Sequence, residues 1–414
     1  MEALQFSVSV PQWLVLKTAG VISRKAFYKG PLATVKLVDV PEPELPTNEW
    51  VKVQSLLCGF CASDLSLIFL KESPSASPFT SFPCILGHEI CGRIAEVGTN
   101  VTEFIIGDIV AVAPALNCAA RGIHPPCTAC QKGMVANCES YAKGCLSPGM
   151  ITGLCTDTGG GFAPYFVAHK SQIFKLPDNV TLETGVLIEP LTVGLQTVFG
   201  NMPQEKDKVL IIGGGVIGTM VLKAIRALKV DCHVTQADLS FSAIESAKRA
   251  GANAVIGDGD FLSNTVRITG ATRYKPMMGA DILMGGFARI YDTVGSPKTL
   301  NKAMRCLAAG GTLSQVGIWN DVKLDLTPLW LKQQTLQGVY GCGYANYKGE
   351  WMHMFDIALD MVGEGKIELD GMVTHKFDLE NYEKMIEVNL AKEKHAAVKT
   401  TVSFMKNDLA TSIT

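Results

Sequence analysis

Apolar positions along the chain fall into two rhythms. Up to about residue 190 they come in short runs broken by glycine and proline. LATVKLVDV (32–40) and WVKVQSLLC (50–58) have strand composition, and Pro41, Pro43 and Pro46 mark the turn between them. From Lys208 to Tyr340 the rhythm changes. KVLIIGG, HVTQAD, ARIYDTVG and TLSQVGI alternate with the helical segments GTMVLKAIRALK and FSAIESAKRAGA. This alternation predicts a parallel sheet with crossover helices. The tail returns to the first character. It predicts a helix over WMHMFDIALDMVGEGK, a strand at MVTHKF, a helix near NYEKMIEVNLAK and a final strand AVKTTVSF. The expected organisation is an α/β domain, residues 190–340, inserted into a discontinuous outer domain of residues 1–189 and 341–414.

Composition narrows the function classes. The chain has 414 residues and a formal net charge of −2. That balance argues against a nucleic-acid or membrane-surface protein, since both need a basic field. Charged residues make up 18% and hydrophobic residues 47%, which fits a large buried core rather than disorder. No run reaches the roughly 18 uncharged apolar residues of a membrane span. The start, MEALQFSVSVPQWLVLKTAG, lacks a basic segment followed by an apolar one, so a cytoplasmic protein is expected. The 13 cysteines are too many, too spread and too odd in number for a small secreted disulfide framework. Metal ligands and buried thiols are the expected uses.

The strand Val209–Ile212 runs into Gly213-Gly-Gly215-Val216-Ile217-Gly218 and then a helix. In that context G-x-G-x-x-G reads as a dinucleotide loop. Gly213 permits the turn, Gly215 lets the backbone approach a pyrophosphate, and Gly218 lets helix pack on strand. The helix N-terminus offers free amides to the phosphates. Asp238, 25 residues after Gly213, can accept bonds from the adenosine ribose hydroxyls and repel a 2′-phosphate. No Arg or Lys stands at 239–242, which favours NAD over NADP. The competing use of Asp238 is a helix cap together with Ser240.

Two constellations suggest metal. Cys61, His88 and Glu189 bring a thiolate, an imidazole and a carboxylate from separate loops, a set that binds Zn²⁺ with one position open. Singly each has an ordinary reading; together, beside a nucleotide-binding half, they read as a catalytic site. Cys127-x2-Cys130-x7-Cys138 lies in a loop rich in Gly and Pro, and reads as a structural zinc site that needs a fourth ligand. The candidates are Cys118 and His124, with Cys118 favoured because four-cysteine sites are a standard type.

In order along the chain, the motifs are C-A-S-D at 61–64, G-H-E at 87–89, V-G-x5-F-x2-G-D from Val97 to Asp108, and the cysteine lobe. G-G-G-F-A at 159–163, E-P-L at 189–191, G-G-G-V-I-G at 213–218 and A-G-G from Ala309 follow. As a set they resemble the zinc-containing medium-chain dehydrogenase/reductase superfamily, that of alcohol, sorbitol and threonine dehydrogenases. The resemblance implies a GroES-like, mostly-β catalytic domain, with a structural-zinc lobe at about 115–145, plus a Rossmann coenzyme domain with a doubly wound parallel sheet. It implies Cys61 and His88 as catalytic zinc ligands, Glu89 as an exchanging or supporting ligand, and Glu189 as the glutamate of the polyol, sugar and threonine branches. Asp64 matches the carboxylate that orients the histidine, and Ser63 the hydroxyl that bonds the substrate oxygen. Three departures stand out. Ser66 occupies the position of a proton-relay histidine, the extra lobe cysteine is displaced to 118, and Thr265–Phe287 is longer than the family norm.

The implied reaction is hydride transfer between an alcohol and NAD, with Ser63 passing on the proton and the sheet edge around Val294, Val316 and Ile318 holding the nicotinamide. Glu189 points to polyols, sugars or threonine. The apolar segment Leu65, Leu67, Ile68, Phe69 and Leu70, with Phe79 and Phe82, points instead to a secondary alcohol/ketone pair with a sizeable apolar part. A family resemblance of this kind also implies a symmetric homodimer or homotetramer acting on a small molecule. Other readings are an NADPH-dependent carbonyl reductase, against which Cys61, His88 and Asp238 speak, a non-enzymatic binding protein, against which the complete ligand and glycine sets speak, and a redox-sensing thiol protein using the cysteine lobe.

Overall fold

The computed structural model describes residues 1–318 and 322–405, apart from the side chains of Ala19, Val21 and Ile22. Residues 406–414, which the sequence assigns to the outer domain, lie outside the described residues. The chain divides into two compact units, Met1–Glu189 with Cys342–Thr414, and Pro190–Gly341. Among the described residues no helix is long and apolar enough to cross a membrane.

The first unit is built on the strand Trp50–Gly59, which is buried along nearly its whole length. It pairs antiparallel with Glu89–Val97 throughout, with Tyr165–His169 at its start and with Lys399–Ser403 at its end. Ile109–Val112, Ile173–Lys175 and Val373–Phe377 extend this sheet to seven strands. A second sheet joins Glu2–Phe6 to Val35–Asp39 and Cys84–Ile85. Between the first two of these strands the chain makes a helix, Val10–Ile22, where the sequence suggests only strands and loops. Its segment is apolar almost all round, with no acid in the first turn and no base in the last, so it shows no one-sided helical stripe. The expected tail helix begins later than its pattern suggests. Glu350–His353 is a strand paired with Tyr344–Tyr347, and the helix is Met354–Gly363.

A large core organises this unit, with a smaller cluster of Trp50, Leu116, Leu146 and Val167 beneath the cysteine lobe. Leu4, Phe6, Val51, Val53, Ile94 and Phe166 belong to the large core, and so do Ile68, Phe69 and Leu70; Leu65 and Leu67 pack against it. The apolar segment after Ser63 is therefore largely core.

The second unit is a six-stranded parallel sheet. Its order is Ala254–Ile256, His233–Ala237, Lys208–Ile212, Phe287–Asp292, Leu307–Gln315, Thr335–Gly338. Strand order reverses direction between Lys208–Ile212 and Phe287–Asp292. In doubly wound sheets that switch point opens a crevice at the carboxyl ends of the strands. The long segment Thr265–Phe287 finishes helix Phe261–Thr269 and then makes a hairpin of Thr272–Tyr274 with Ile282–Met284. Arg273 ties it to Asp260 and Asp281 at 2.7 and 2.5 Å. Buried Lys332 donates to Leu283 O, Arg305 O and Leu307 O, locking the hairpin to the end of helix Pro297–Cys306.

Candidate metal centres and dinucleotide site

The central strand delivers the chain to Cys61, the cap of helix Ala62–Ile68. Register sets Gly59 opposite Glu89 on one neighbour and opposite Thr401 on the other. This brings the end of one strand, the start of a second and the start of a third to one place. Cys61, His88 and Glu89 each offer a donor atom within 4.8 Å of the others. Glu189, in the first turn of helix Ile188–Gly200, does not join that group of three. It responds to the same charges: burial pushes its carboxyl up to about 7, His88 opposes the shift and Glu89 adds to it.

His88 is oriented from both sides. Nδ1 lies 3.6 Å from Asp64 Oδ1, and Nε2 lies 3.5 Å from Ser63 Oγ. Asp64 Oδ2 also accepts from the Cys61 amide at 2.8 Å. A carboxylate on Nδ1 fixes the tautomer and turns the lone pair of Nε2 toward the cluster. Burial draws the imidazole down, but Asp64 and Cys61 outweigh it and hold it well above its usual range.

Sequence reasoning missed Lys399. Its ammonium is buried and donates to Glu89 Oε1 and Oε2 at 2.6 and 2.5 Å. Both oxygens of Glu89 are thus engaged by a cation, which weakens them as donors to a metal. Gly59 makes room for this pair, since a Cβ there would lie 2.0 Å from Glu89 Oε2. The available signal was a lone charge at an inward position of the run AVKTTVSF, because a lysine is almost never fully buried without a partner.

In the cysteine lobe, Cys118, Cys127, Cys130 and Cys138 offer sulfurs within 4.8 Å of one another; His124 is not in that group. None of the four is paired in a disulfide. Backbone amides of Cys127, Glu139 and Ser140 donate to the sulfurs of Cys118, Cys127 and Cys138 at 3.3, 3.4 and 3.3 Å. Amide donors of this kind stabilise thiolates, and Cys127 is drawn down to about 7 against the effect of burial. Fully buried Arg121 braces the lobe. Its guanidinium donates to the carbonyls of Leu116, Lys143, Leu146, Ser147 and Gly149. It too escaped the sequence reading, since one arginine in a loop carries no pattern.

At the switch point of the second unit, Gly213 has φ +106, and a Cβ there would meet Thr293 at 2.3 Å. A Cβ on Gly218 would meet Gly213 O at 2.0 Å. Beside Gly215 a Cβ would find nothing within 4 Å, so the backbone faces open space. Gly215 caps helix Val216–Ala227 with no side-chain bond, leaving the amides of Val216, Ile217 and Gly218 available at a helix N-terminus. Asp238 Oδ2 accepts from the Gly214 amide at 2.6 Å and Oδ1 from the Ser240 amide at 2.8 Å. It therefore closes the loop and anchors the next turn at once. Val294 and Ile318 are exposed, and Val316 is half-buried, along the same carboxyl edge. Buried Asp292 and half-buried Gln315 face each other in register there. Among the described residues Asp292 Oδ2 and Gln315 Oε1 have no hydrogen-bond partner, two acceptors that a ligand donor could use. The cradle fits a dinucleotide.

Comparison with known proteins agrees with this geometry. Residues 47–178 match the alcohol dehydrogenase GroES-like domain, and residues 216–360 match the zinc-binding dehydrogenase domain. The L-idonate 5-dehydrogenase of Vitis vinifera is 28% identical over 347 residues, covering 84% of this chain and 85% of its own. A sorbitol dehydrogenase of Arabidopsis thaliana is 27% identical over 330 residues, covering 79% and 81%. The crystal structure of galactitol-1-phosphate dehydrogenase from Escherichia coli shares the fold, with TM-score 0.71 at 23% identity over 97% of this chain and 100% of that one. The chain belongs to the zinc-containing medium-chain dehydrogenase/reductase superfamily.

Proposed function

We propose that this protein is a zinc- and NAD-dependent dehydrogenase that interconverts a secondary hydroxyl of a polyol or sugar and the corresponding ketone. The observation that carries the reading is the convergence of Cys61, His88 and Glu89 on one point, with Ser63 beside His88. A zinc ion held by Cys61, His88 and a glutamate, Glu89 or Glu189, supplies Lewis acidity that makes a substrate hydroxyl acidic. The chain's own residues do the rest. Ser63 would accept a hydrogen bond from the substrate hydroxyl and take its proton while releasing its own to water, Asp64 holds His88 in one tautomer, and Lys399 keeps the charge of Glu89 balanced. Glu89 paired with Lys399 favours Glu189 as the third ligand. Cys118, Cys127, Cys130 and Cys138 hold a second, structural zinc.

The choice of a polyol over a large apolar alcohol follows from packing. Ile68, Phe69 and Leu70, which would line an apolar pocket, are committed to the core. The relatives named for idonate and sorbitol support the same choice. Asp238, with no base at 239–242, supports NAD over NADP. Exposed Trp330, Leu331 and Leu336, beside and on the edge strand Thr335–Gly338, support a symmetric dimer.

The test is NADH formation across polyols, threonine and apolar secondary alcohols, repeated with NADP⁺. Turnover of polyols with NAD⁺ and its loss in Cys61→Ser support the proposal. Turnover confined to apolar alcohols overturns the substrate class, and a preference for NADP⁺ overturns the role of Asp238.

A further inference from the structure

Helix Val10–Ile22 leaves one side uncovered. Leu16 is fully buried in the large core of the first unit, and Trp13 packs against that core. Gln12 donates to the carbonyls of Leu32 and Ala33 at 3.0 and 3.2 Å, and the Lys17 ammonium donates to Leu70 O at 2.6 Å, so the inner side is fixed in place. The other side carries two rows. Val10, Leu14 and Lys17 stand at i, i+4 and i+7, and Pro11, Val15 and Thr18 repeat that spacing one position on. All six are exposed, Val10 to 75%, Leu14 to 57% and Val15 to 46%. Single apolar residues at a surface are ordinary, but a helix that buries one apolar side and presents another has a face still to be covered.

Charge decides what covers it. The chain as a whole is close to neutral, at −2, and that balance hides a local field. Residues 3–38 hold five bases, Lys17, Arg24, Lys25, Lys29 and Lys36, and no acid. Lys25 and Lys29 are compensated by Glu387 at 3.5 Å and Glu383 at 2.8 Å. Among the described residues Lys17, Arg24 and Lys36 have no carboxylate within ion-pair distance; Lys17 and Lys36 donate to the carbonyls of Leu70 and Pro31, which leaves their charge in place. Lys17 also lies over the Trp13 ring at 5.1 Å, so a cation is held at the rim of the apolar rows. A second copy of this chain is a poor occupant. A twofold contact sets these bases against themselves, and three apolar side chains fall short of the roughly 600 Å² that each partner of a stable dimer buries. An anionic lipid surface suits both features, because it takes up shallow apolar side chains and attracts the bases beside them.

We propose that helix Val10–Ile22 lies flat on an anionic lipid bilayer, with Val10, Leu14 and Val15 in the boundary between headgroups and acyl chains and Lys17 at headgroup level. Arg24 and Lys36 add to the attraction. The inference goes beyond the dehydrogenase reading and does not depend on it. The helix rests on the bilayer and does not cross it, since its 13 residues rise about 20 Å against a hydrocarbon core of roughly 30 Å. Shallow insertion of three side chains is marginal by itself, and so is the pull of three bases. Together they give binding that is reversible, selective for anionic lipid and weakened by salt.

The experiment is co-sedimentation of the full chain with vesicles of phosphatidylcholine alone, or with about a third phosphatidylserine, at low and physiological salt. The variants are the double change Leu14→Gln with Val15→Gln, and Leu14→Trp. The expected result is that wild type pellets with the mixed vesicles and not with phosphatidylcholine alone. Salt weakens the binding, and the double variant binds about tenfold more weakly. Both of its changes are at exposed positions, so its thermal midpoint should match that of wild type. If it unfolds early, Leu14→Trp decides, its added fluorescence shifting to the blue on the mixed vesicles. No pelleting at low salt, equal pelleting with both lipids, or a Leu14→Trp emission unmoved by vesicles overturns the proposal. Pelleting that a stable double variant retains assigns the lipid contact to another face and overturns it too. A molar mass that halves in the double variant, without lipid binding by wild type, names a second copy as the occupant and overturns it as well.

Discussion

The two donor clusters use cysteine in opposite ways. The lobe gathers four sulfurs from one short stretch of chain, and what surrounds them is backbone: three amides and the carbonyl-filled fork of Arg121. The cluster at Cys61 gathers unlike donors from distant strands, and what surrounds them is charge: Asp64, Glu189 and the ammonium of Lys399. A like set in a backbone cage is suited to being filled once and closed. A mixed set among buried charges is poised, because each group biases its neighbours' protonation and donor strength. The difference lies in the supporting residues more than in the ligands.

The largest effect is expected from breaking the charge frame. Lys399→Met leaves Glu89 buried and unpaired, which costs about 3–5 kcal/mol. Urea unfolding measures it, and the double change Lys399→Met with Glu89→Gln recovers much of the loss. A single variant as stable as wild type contradicts the buried pair. Breaking the backbone frame comes next. Arg121→Met strands five carbonyls and is expected to cost about 2–4 kcal/mol, with faster metal release from the lobe in a chelator assay.

A smaller, pH-dependent effect comes from the hairpin that leans on the lobe. Tyr344 donates its amide to Gly133 O at 2.9 Å, and His353 ends the hairpin. His353 is buried, stacks on Phe174 at 4.8 Å, and accepts from the Phe355 amide at 3.2 Å, so it must be neutral. Burial draws it down to about 4. Its folded value lies below its unfolded one, so the unfolded chain binds the proton more readily between them. The stability is fully present above about pH 6.5 and is lost as pH falls through about 4. Thermal unfolding across that window should flatten in His353→Gln, and an unchanged acid slope counts against the assignment. The smallest effect separates the two candidates for the fourth lobe ligand. His124→Ala should change metal content and stability by nothing measurable, within about 0.5 kcal/mol, whereas Cys118→Ala should remove one equivalent of zinc.

What was legible in the sequence had a period or a motif. The strands of the parallel sheet stood out as β-branched runs, Gly213–Gly218 as a loop between strand and helix, and the lobe as spaced cysteines. Helix Val10–Ile22 was not legible, because apolar residues surround it and carry no 3.6-residue signature. The role of Ile68, Phe69 and Leu70 was not legible either, since a core and a pocket ask for the same residues. Lys399 and Arg121 were hidden for a further reason. Each acts through partners remote in sequence or scattered along a loop, and single residues leave no local trace. Which carboxylate Lys399 engages was hidden as well, being a fact of register between strands.

That register has a consequence for the order of synthesis. Glu89 precedes Lys399 by 310 residues, and the whole parallel-sheet unit lies between them in the chain. While the ribosome makes that unit, Cys61, His88 and Glu89 are already outside, without the strand Lys399–Ser403 that completes their sheet. The inserted unit draws on local sequence and can fold as it emerges, whereas the cluster at Cys61 waits for the last of the described strands. The nascent cluster therefore keeps Glu89 without its counter-ion for most of translation, and its charges balance only at the end.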